Sequence, residues 1–140
     1  MLVRTTQLKL LSGGHFNIMV ITDQVREFTE SSGVRNGQLI VFFQHTTGAI
    51  FIGEHEAGIM ADLQDMLERI TPTNYPYKHH MREYDFNGHA HLRATLLPSN
   101  VTIPVVDKKL VLGTYQEIMI LDDQVDQEPR YVILQIMGEE

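Results

Sequence analysis

The chain has 140 residues, of which 43% are hydrophobic and 21% charged, as expected for one globular domain. It contains no cysteine, which excludes a disulfide scaffold, a thiolate metal site and a cysteine nucleophile. Eleven basic against eighteen acidic residues give a formal charge of −7, which disfavours nonspecific binding to nucleic acid phosphates. The sequence shows neither a bilayer-spanning apolar stretch nor a signal-peptide core, so we expect a cytoplasmic protein without membrane partners.

The first third of the chain predicts two strands followed by a helix. Residues 2–11 alternate between polar and apolar, as in a half-buried strand. A turn at residues 12–14 leads into a second strand at 15–21. Thr22 is predicted to be the N-cap of a helix that ends at Gly33.

The middle of the chain combines buried strands with one long helix. Residues 38–44 form a continuous apolar run, typical of a buried strand, and a shorter strand is predicted at 49–52. Apolar residues at helical spacing predict a helix over 57–70. Residues 71–90 are rich in Pro, Asn, Tyr and His without periodicity, which predicts a long, functional loop.

The last third of the chain is mainly strand-like. Residues 90–97 predict a short helix that ends before Pro98. Four strands then follow, at residues 101–106, 109–112, 117–121 and 131–137. The pattern predicts an α+β fold: one domain over residues 1–140, with mixed or antiparallel β-sheets packed like a sandwich and two main helices.

His45 is the first candidate for chemistry, because it directly follows the buried strand at 38–44. A side chain in that position is held by a rigid element and can face a cleft. Thr46 and Thr47 add two hydroxyl groups, and Gly48 leaves the backbone open to a substrate or an anion. The alternative is that His45 simply ends the strand in solvent.

Two acidic residues are candidates for catalysis. If residues 45–54 formed a hairpin, Glu54 would lie beside His45 and could orient the imidazole or act with it as an acid or base. Asp62 borders the apolar face of the predicted helix and could support a metal-bound histidine. The alternatives are a solvated acid at the end of a strand and a solvated acid on a helix.

Histidines are the unusual feature of the composition, since six of the seven lie between residues 45 and 91. His89 and His91 share a face only in an extended segment, because in a helix they would point about 200° apart. We therefore expect only one histidine of each neighbouring pair to be a ligand. Imidazoles with a carboxylate or water suit zinc, manganese or nickel.

Gln116 and Arg130 are the remaining polar candidates. An arginine at the start of a strand can bind a phosphate in a bidentate manner, and Gln116 could add a neutral donor. The alternative for Arg130 is an exposed ion pair with an aspartate of the preceding loop. The sequence contains neither a phosphate-binding P-loop nor a dinucleotide fingerprint or a serine nucleophile elbow.

Taken in order along nearly the whole chain, these motifs resemble the secondary thiamine-phosphate synthase (YjbQ-like) family. The matching positions are Phe42 to Thr47, Ile52 to Glu54, Asp62 with Leu63, Tyr77 to His79, Asn87 to Leu92, Ser99, Ile103 with Pro104, Leu112 to Gln116, and Arg130. The resemblance implies a small single-domain α+β protein that assembles as a homotrimer. It also implies a site built from histidines, where metal ions bind.

The resemblance also implies roles for individual residues. His45, His79 and His91 carry over as the metal-binding histidines, and Glu54 as the nearby acid. Further site residues carry over at Asp62, Asn87, Gln116 and Arg130. The histidines at 55, 80 and 89 are not motif positions.

The sequence thus predicts a metal-dependent enzyme that acts on a small phosphorylated metabolite. The reaction that the resemblance names joins a pyrimidine diphosphate to a thiazole phosphate and releases pyrophosphate, and magnesium would also suit its diphosphate substrate. Glu54 and Asp62 are the predicted catalytic residues, and substrate binding is assigned to Thr46, Thr47, Asn87, Gln116 and Arg130. Two alternatives remain: a metal-dependent phosphatase or hydrolase with Glu54 as base, and a non-catalytic trimeric protein that binds a metal or metabolite.

Overall fold

The structure is a computed structural model that describes residues 1–83 and 85–140, without the side chain of Glu83. Its strands are β1 (Leu2–Leu11), β2 (Asn17–Val20), β3 (Asn36–Phe43), β4 (Gly48–Gly53), β5 (Asn100–Val106), β6 (Lys109–Leu110), β7 (Glu117–Asp122) and β8 (Pro129–Glu139). Its helices are α1 (Thr22–Ser31), α2 (Ala57–Ile70), α3 (Lys78–Glu83) and α4 (Gly88–Leu96). None of these helices is long and apolar enough to cross a membrane.

The strands form two antiparallel sheets, which confirms the predicted α+β class. Five strands pair in the order β1-β8-β3-β5-β6, and three pair in the order β2-β7-β4. The two main helices were predicted, the short helix predicted at residues 90–97 is α4, and the structure adds α3. The chain crosses from the larger sheet to the smaller one between β3 and β4.

The hydrophobic core lies between the inner faces of the two sheets. Alternate residues of β8, such as Leu134 and Ile136, pack there with Ile118 and Ile120 of β7. Met119, between those two β7 residues, points to the opposite face by strand alternation and is also buried. Because α4 packs on β4, the smaller sheet is covered on both faces and forms the middle layer.

Two local predictions were wrong, each because a tertiary contact decided the conformation. The predicted N-cap Thr22 lies inside α1, whose N-cap residue is Ile21. The Thr22 hydroxyl donates to Glu117 and accepts the N–H of Ile118 at 2.9 Å, so it serves the sheet rather than the helix.

The predicted long loop over residues 71–90 was also wrong, because α3 and the start of α4 lie within it. The two helices are held together by a bond from the N–H of Gly88 to Nε2 of His80, at 2.9 Å. A helix as short as α3 carries no readable periodicity, so only its packing reveals it. Tyr84 of this segment lies outside the described residues.

The turn between β1 and β2 packs tightly against the segment that follows β7. Gly14 has φ +69°, and a Cβ atom at this position would overlap the carbonyl oxygen of Gln124. The next residue, His15, donates its N–H to that same oxygen at 2.9 Å. This turn therefore requires a glycine, both for its left-handed backbone and for the close approach.

We expect Gly14→Ala to lower the free energy of unfolding by roughly 1–3 kcal/mol, because alanine is strained at positive φ and would displace Gln124. Gly13→Ala is the matched control, since a Cβ there has no atom within 4 Å, and it should change stability by less than about 1 kcal/mol. Urea unfolding of both variants measures the difference. Equal effects would contradict the close packing of this turn.

Candidate functional site

His79 of α3 and His91 of α4 form a pair of imidazoles beside the loop that follows β3. Their ring centroids lie 4.7 Å apart, with the ring planes at 64°. The backbone carbonyl of Thr46 lies beside the His91 ring. Burial lowers the pKa of His91, and neighbouring His79 lowers it further, so the neutral ring of His91 is favoured.

Asn87, the residue before α4, orients His79. Its Oδ1 lies 3.0 Å from Nε2 of His79, and its Nδ2 donates to Oε1 of Gln124 at 3.2 Å. Asn87 is buried and does not cap α4 with its side chain. Asn87 was predicted to bind substrate, but its contacts in the structure are those of a residue that positions a histidine.

His45 lies half-buried in the loop after β3. Its Nε2 accepts the backbone N–H of Tyr131 at 2.8 Å, and its ring packs between Phe43 and the Tyr131 ring. Burial lowers the pKa of His45, and the positive charge of Arg130 lowers it further. His45 is therefore a neutral ring with one nitrogen already bonded to the backbone.

The structure thus pairs two of the three predicted metal ligands. The third, His45, precedes Thr46, whose carbonyl lies beside the His91 ring. Within residues 1–83 and 85–140, no three His, Asp or Glu side chains of one chain are arranged to hold a metal ion. The predicted three-histidine metal site stays a prediction, and the pair formed by His79 and His91 is the part that the geometry supports.

A cavity of about 420 Å³ opens beside the histidine pair. His79 and His91 line one wall, and Lys78 supplies a positive charge at the same place. The rings of Tyr75 and Tyr77, whose centroids lie 4.9 Å apart, form the apolar part of the lining. The cavity therefore offers imidazole, ammonium and aromatic contacts to a small molecule.

Glu54 and Gln116 lie at the opposite end of the smaller sheet from the histidines. The predicted hairpin is not formed, because β3 and β4 belong to different sheets. In the β4–β7 pair, Gly48 faces Asp122 at one end and Gly53 faces Glu117 at the other. A six-residue strand spans about 20 Å, so Glu54 stands that far from the His45 end in the same chain.

The other polar residues near this end are exposed or have structural roles. Glu56 caps α2 by accepting the N–H groups of Gly58 and Ile59 at 2.8 Å each, and these bonds lower the pKa of its carboxyl. Asp62 is an exposed residue of α2. Gln116 is exposed and accepts the N–H of Gly113 at 2.7 Å, which closes the turn before β7.

Arg130 is buried rather than exposed, with 1% of its surface accessible. Its Nε and Nη2 donate to Oδ1 of Asp122 at 3.0 and 2.7 Å, and Nη2 also donates to the Thr47 hydroxyl at 2.7 Å. Its Nη1 lies 3.1 Å from Glu128. The alternative stated above, an ion pair between Arg130 and a preceding aspartate, is correct in its partner, but the pair is buried and not exposed. Phosphate binding by Arg130 or Thr47 would require these bonds to break.

Sequence reasoning missed a second buried polar network, formed by His89, Arg93 and Asp123. Arg93 donates to Asp123 at 2.7 Å, and Nε2 of His89 lies 4.0 Å from the same carboxylate. Nδ1 of His89 is buried without a hydrogen-bond partner in the described part of the chain. The signal in the sequence that could have revealed this network is the i, i+4 spacing of His89 and Arg93, which places both on one helix face.

Comparison with known proteins gives the same fold and a family. The family model described as UPF0047 protein YjbQ-like matches residues 6–139. A UPF0047 protein of Methanothermobacter thermautotrophicus is 40% identical over 120 residues, which cover 86% of this chain and 82% of that protein. Another, from Archaeoglobus fulgidus, is 40% identical over 116 residues, covering 83% and 88%.

Solved structures agree with these relatives. A YbjQ-like protein of unknown function from Sulfolobus solfataricus P2 superposes with a TM-score of 0.91 at 34% identity, covering 98% of both chains. A hypothetical protein from Aeropyrum pernix K1 gives a TM-score of 0.89 at 32% identity, covering 97% of this chain and 99% of that one.

The fold and the site define a small two-sheet α+β protein with a histidine cluster at one end of its smaller sheet. The chain belongs to the YjbQ-like family of UPF0047 proteins.

We expect Arg130→Ala to lower the free energy of unfolding by roughly 3–5 kcal/mol, because it leaves the carboxylate of Asp122 buried without its partner. Arg35→Ala is the control: Arg35 pairs with Asp107 at 3.1 Å, but the two side chains are 60% and 68% exposed. That variant should lose less than about 1 kcal/mol. Urea unfolding compares the two, and similar losses would contradict the structural role of Arg130.

Proposed function

We propose that this protein is a metal-dependent enzyme acting on a small phosphorylated metabolite. The observation that carries the proposal is the pair of imidazoles, His79 and His91, on the wall of a cavity that Lys78 also lines. Imidazole nitrogens suit a divalent ion such as zinc, manganese or nickel. A lysine ammonium beside them suits a phosphate.

The residues fit a metal ion that is coordinated partly by the protein and partly by the bound substrate. His79 and His91 would hold the ion, with Asn87 fixing the orientation of His79, as outer partners of metal-binding histidines do. Two protein ligands leave coordination positions for substrate oxygens, which distinguishes a catalytic site from a closed structural one. A bound divalent ion would neutralise the charge of a phosphate or diphosphate, and magnesium also suits a diphosphate.

Thiamine-phosphate synthesis is the finer form of this proposal, and the motif resemblance is its support. A non-catalytic protein that binds a metal or metabolite is the second candidate. It is favoured by the distance between Glu54 and the histidine end within one chain, since this leaves the pair without that carboxylate as a base. The same distance weighs against a phosphatase in which Glu54 of the same chain is the base.

A homotrimer would allow Glu54 of one chain to lie near the histidines of another. The predicted site residues divide between the two ends of the smaller sheet, so a single site that uses all of them needs a second chain. The outer face of the larger sheet also exposes apolar side chains, among them Val3, Phe42 and Val106 at 42–50% exposure. We therefore propose that three copies assemble with the cleft near the boundary between subunits.

Light scattering tests the assembly directly. At micromolar concentration we expect a particle of three times the mass of one chain, and Phe42→Asp should shift it towards the single-chain mass by placing a charge on the apolar face. Gln24→Asp, an exposed change on α1 and not on the larger sheet, is the comparison for charge alone. A particle of single-chain mass in the unaltered protein would count against the trimer.

Metal binding is tested by calorimetric titration of the metal-free protein with Zn²⁺. His79→Ala and His91→Ala should each weaken binding at least about tenfold, because each removes one of two imidazole ligands. His55→Ala, an exposed histidine beside Glu54, is the control and should leave the affinity unchanged. Turnover of the two thiamine precursors against generic phosphate esters then separates the named reaction from phosphatase activity.

A further inference from the structure

The tautomer of His45 follows from a group that can only donate. A backbone N–H has no acceptor character, and that of Tyr131 lies 2.8 Å from Nε2 of His45. Nε2 must therefore present its lone pair to this amide. The proton of the neutral ring is then on Nδ1.

The tautomer of His79 follows from a longer chain of bonds. The N–H of Val125 donates to Oε1 of Gln124 at 3.1 Å, and Nε2 of Gln124 donates to the Glu128 carboxylate at 3.1 Å, so the orientation of this amide is determined twice. Its Oε1 accepts from Nδ2 of Asn87, which turns Oδ1 of Asn87 towards His79. Nε2 of His79 therefore carries the proton, and Nδ1 keeps a lone pair.

His91 has the same kind of arrangement as His79. The carbonyl of Thr46 lies beside its ring, and because a carbonyl can only accept, we assign the proton to the ring nitrogen nearer to it. The other nitrogen of the neutral ring keeps its lone pair. His79 and His91 thus each keep one lone pair, and His45, which precedes Thr46 in the chain, keeps an N–H.

We propose that the three histidines divide the ligand between them: His79 and His91 bind the cation, and His45 donates its Nδ1–H to an oxygen of the phosphate. This assignment rests on the proposed function and names which residue recognises which part of the ligand. A metal ion requires a lone pair, and the lone pair of His45 is taken by the Tyr131 amide. His45 is therefore not a third metal ligand.

The charges of the chain support a neutral donor in this position. The formal charge is −7, and the nearby Arg130 is buried with its guanidinium bonded to Asp122 and Thr47. The side chain of Thr46, next to His45, is exposed and offers a hydroxyl donor. An anionic oxygen beside His45 would be bound by neutral N–H and O–H groups, and Lys78, which lines the cavity beside the histidine pair, would supply the cation.

Nitrogen NMR of the metal-free protein reads the tautomers without any ligand. At mildly alkaline pH, long-range proton–nitrogen spectra should show protonated Nδ1 for His45 and protonated Nε2 for His79. The opposite tautomer for His45 would overturn the proposal, and it would leave the cavity and the histidine pair of the proposed function intact.

Three variants of His45 test whether this residue donates a hydrogen bond to phosphate or coordinates the metal ion. The amide nitrogen of asparagine can take the place of Nδ1, and that of glutamine the place of Nε2. Inorganic phosphate should bind His45→Asn within about threefold of the unaltered protein, and His45→Gln and His45→Ala at least about tenfold more weakly, as expected for a lost bond to a charged group. Zn²⁺ affinity should stay within about threefold in all three variants.

The outcomes distinguish the two proposals. A loss of Zn²⁺ affinity in His45→Asn as large as that in His79→Ala would make His45 a third ligand and overturn the division. Equal phosphate affinity in the Asn and Ala variants, or no phosphate binding by the unaltered protein, would also overturn it. Unchanged Zn²⁺ affinity in His79→Ala would instead overturn the metal site of the proposed function.

Discussion

The buried ion pair between Arg130 and Asp122 determines how the two sheets meet. Asp122 ends β7 in the smaller sheet, and Arg130 lies at the start of β8 in the larger one. Charges removed from water are tolerated only when they are paired and hydrogen-bonded, and this guanidinium also bonds Thr47, in the crossing between β3 and β4. Since Tyr131 follows Arg130, the amide that holds His45 is placed by the same ion pair.

The adjacent carboxylate extends this arrangement to the helices. Asp123 accepts from Arg93 of α4 through its side chain, and its backbone N–H donates to the carbonyl of Thr47 at 3.0 Å. Two successive aspartates therefore connect to different layers, one to the larger sheet and one to α4. This pairing places His91 beside the loop that carries His45, so the histidine site is a product of the buried charges around it.

Much of the secondary structure was predictable because its signal is local. The apolar spacing that predicts α2 lies within fourteen residues and matched the observed Ala57–Ile70, and the apolar run of β3 and the alternation of β1 were equally readable. The N-cap at Thr22 and the long loop failed for the opposite reason. Their conformations depend on contacts with residues that are distant in sequence, such as Ile118 for Thr22.

The sequence by itself determined the α+β class, the family motifs and the concentration of histidines between residues 45 and 91. It could not determine that Arg130 is buried, that Glu54 stands at the far end of β4, or which nitrogen of His45 carries the proton. Those properties depend on strand register and on backbone groups, such as the Tyr131 amide, that lie 86 positions along the chain. Local composition records which groups are available, but only the tertiary structure decides which of them donate, accept or remain free.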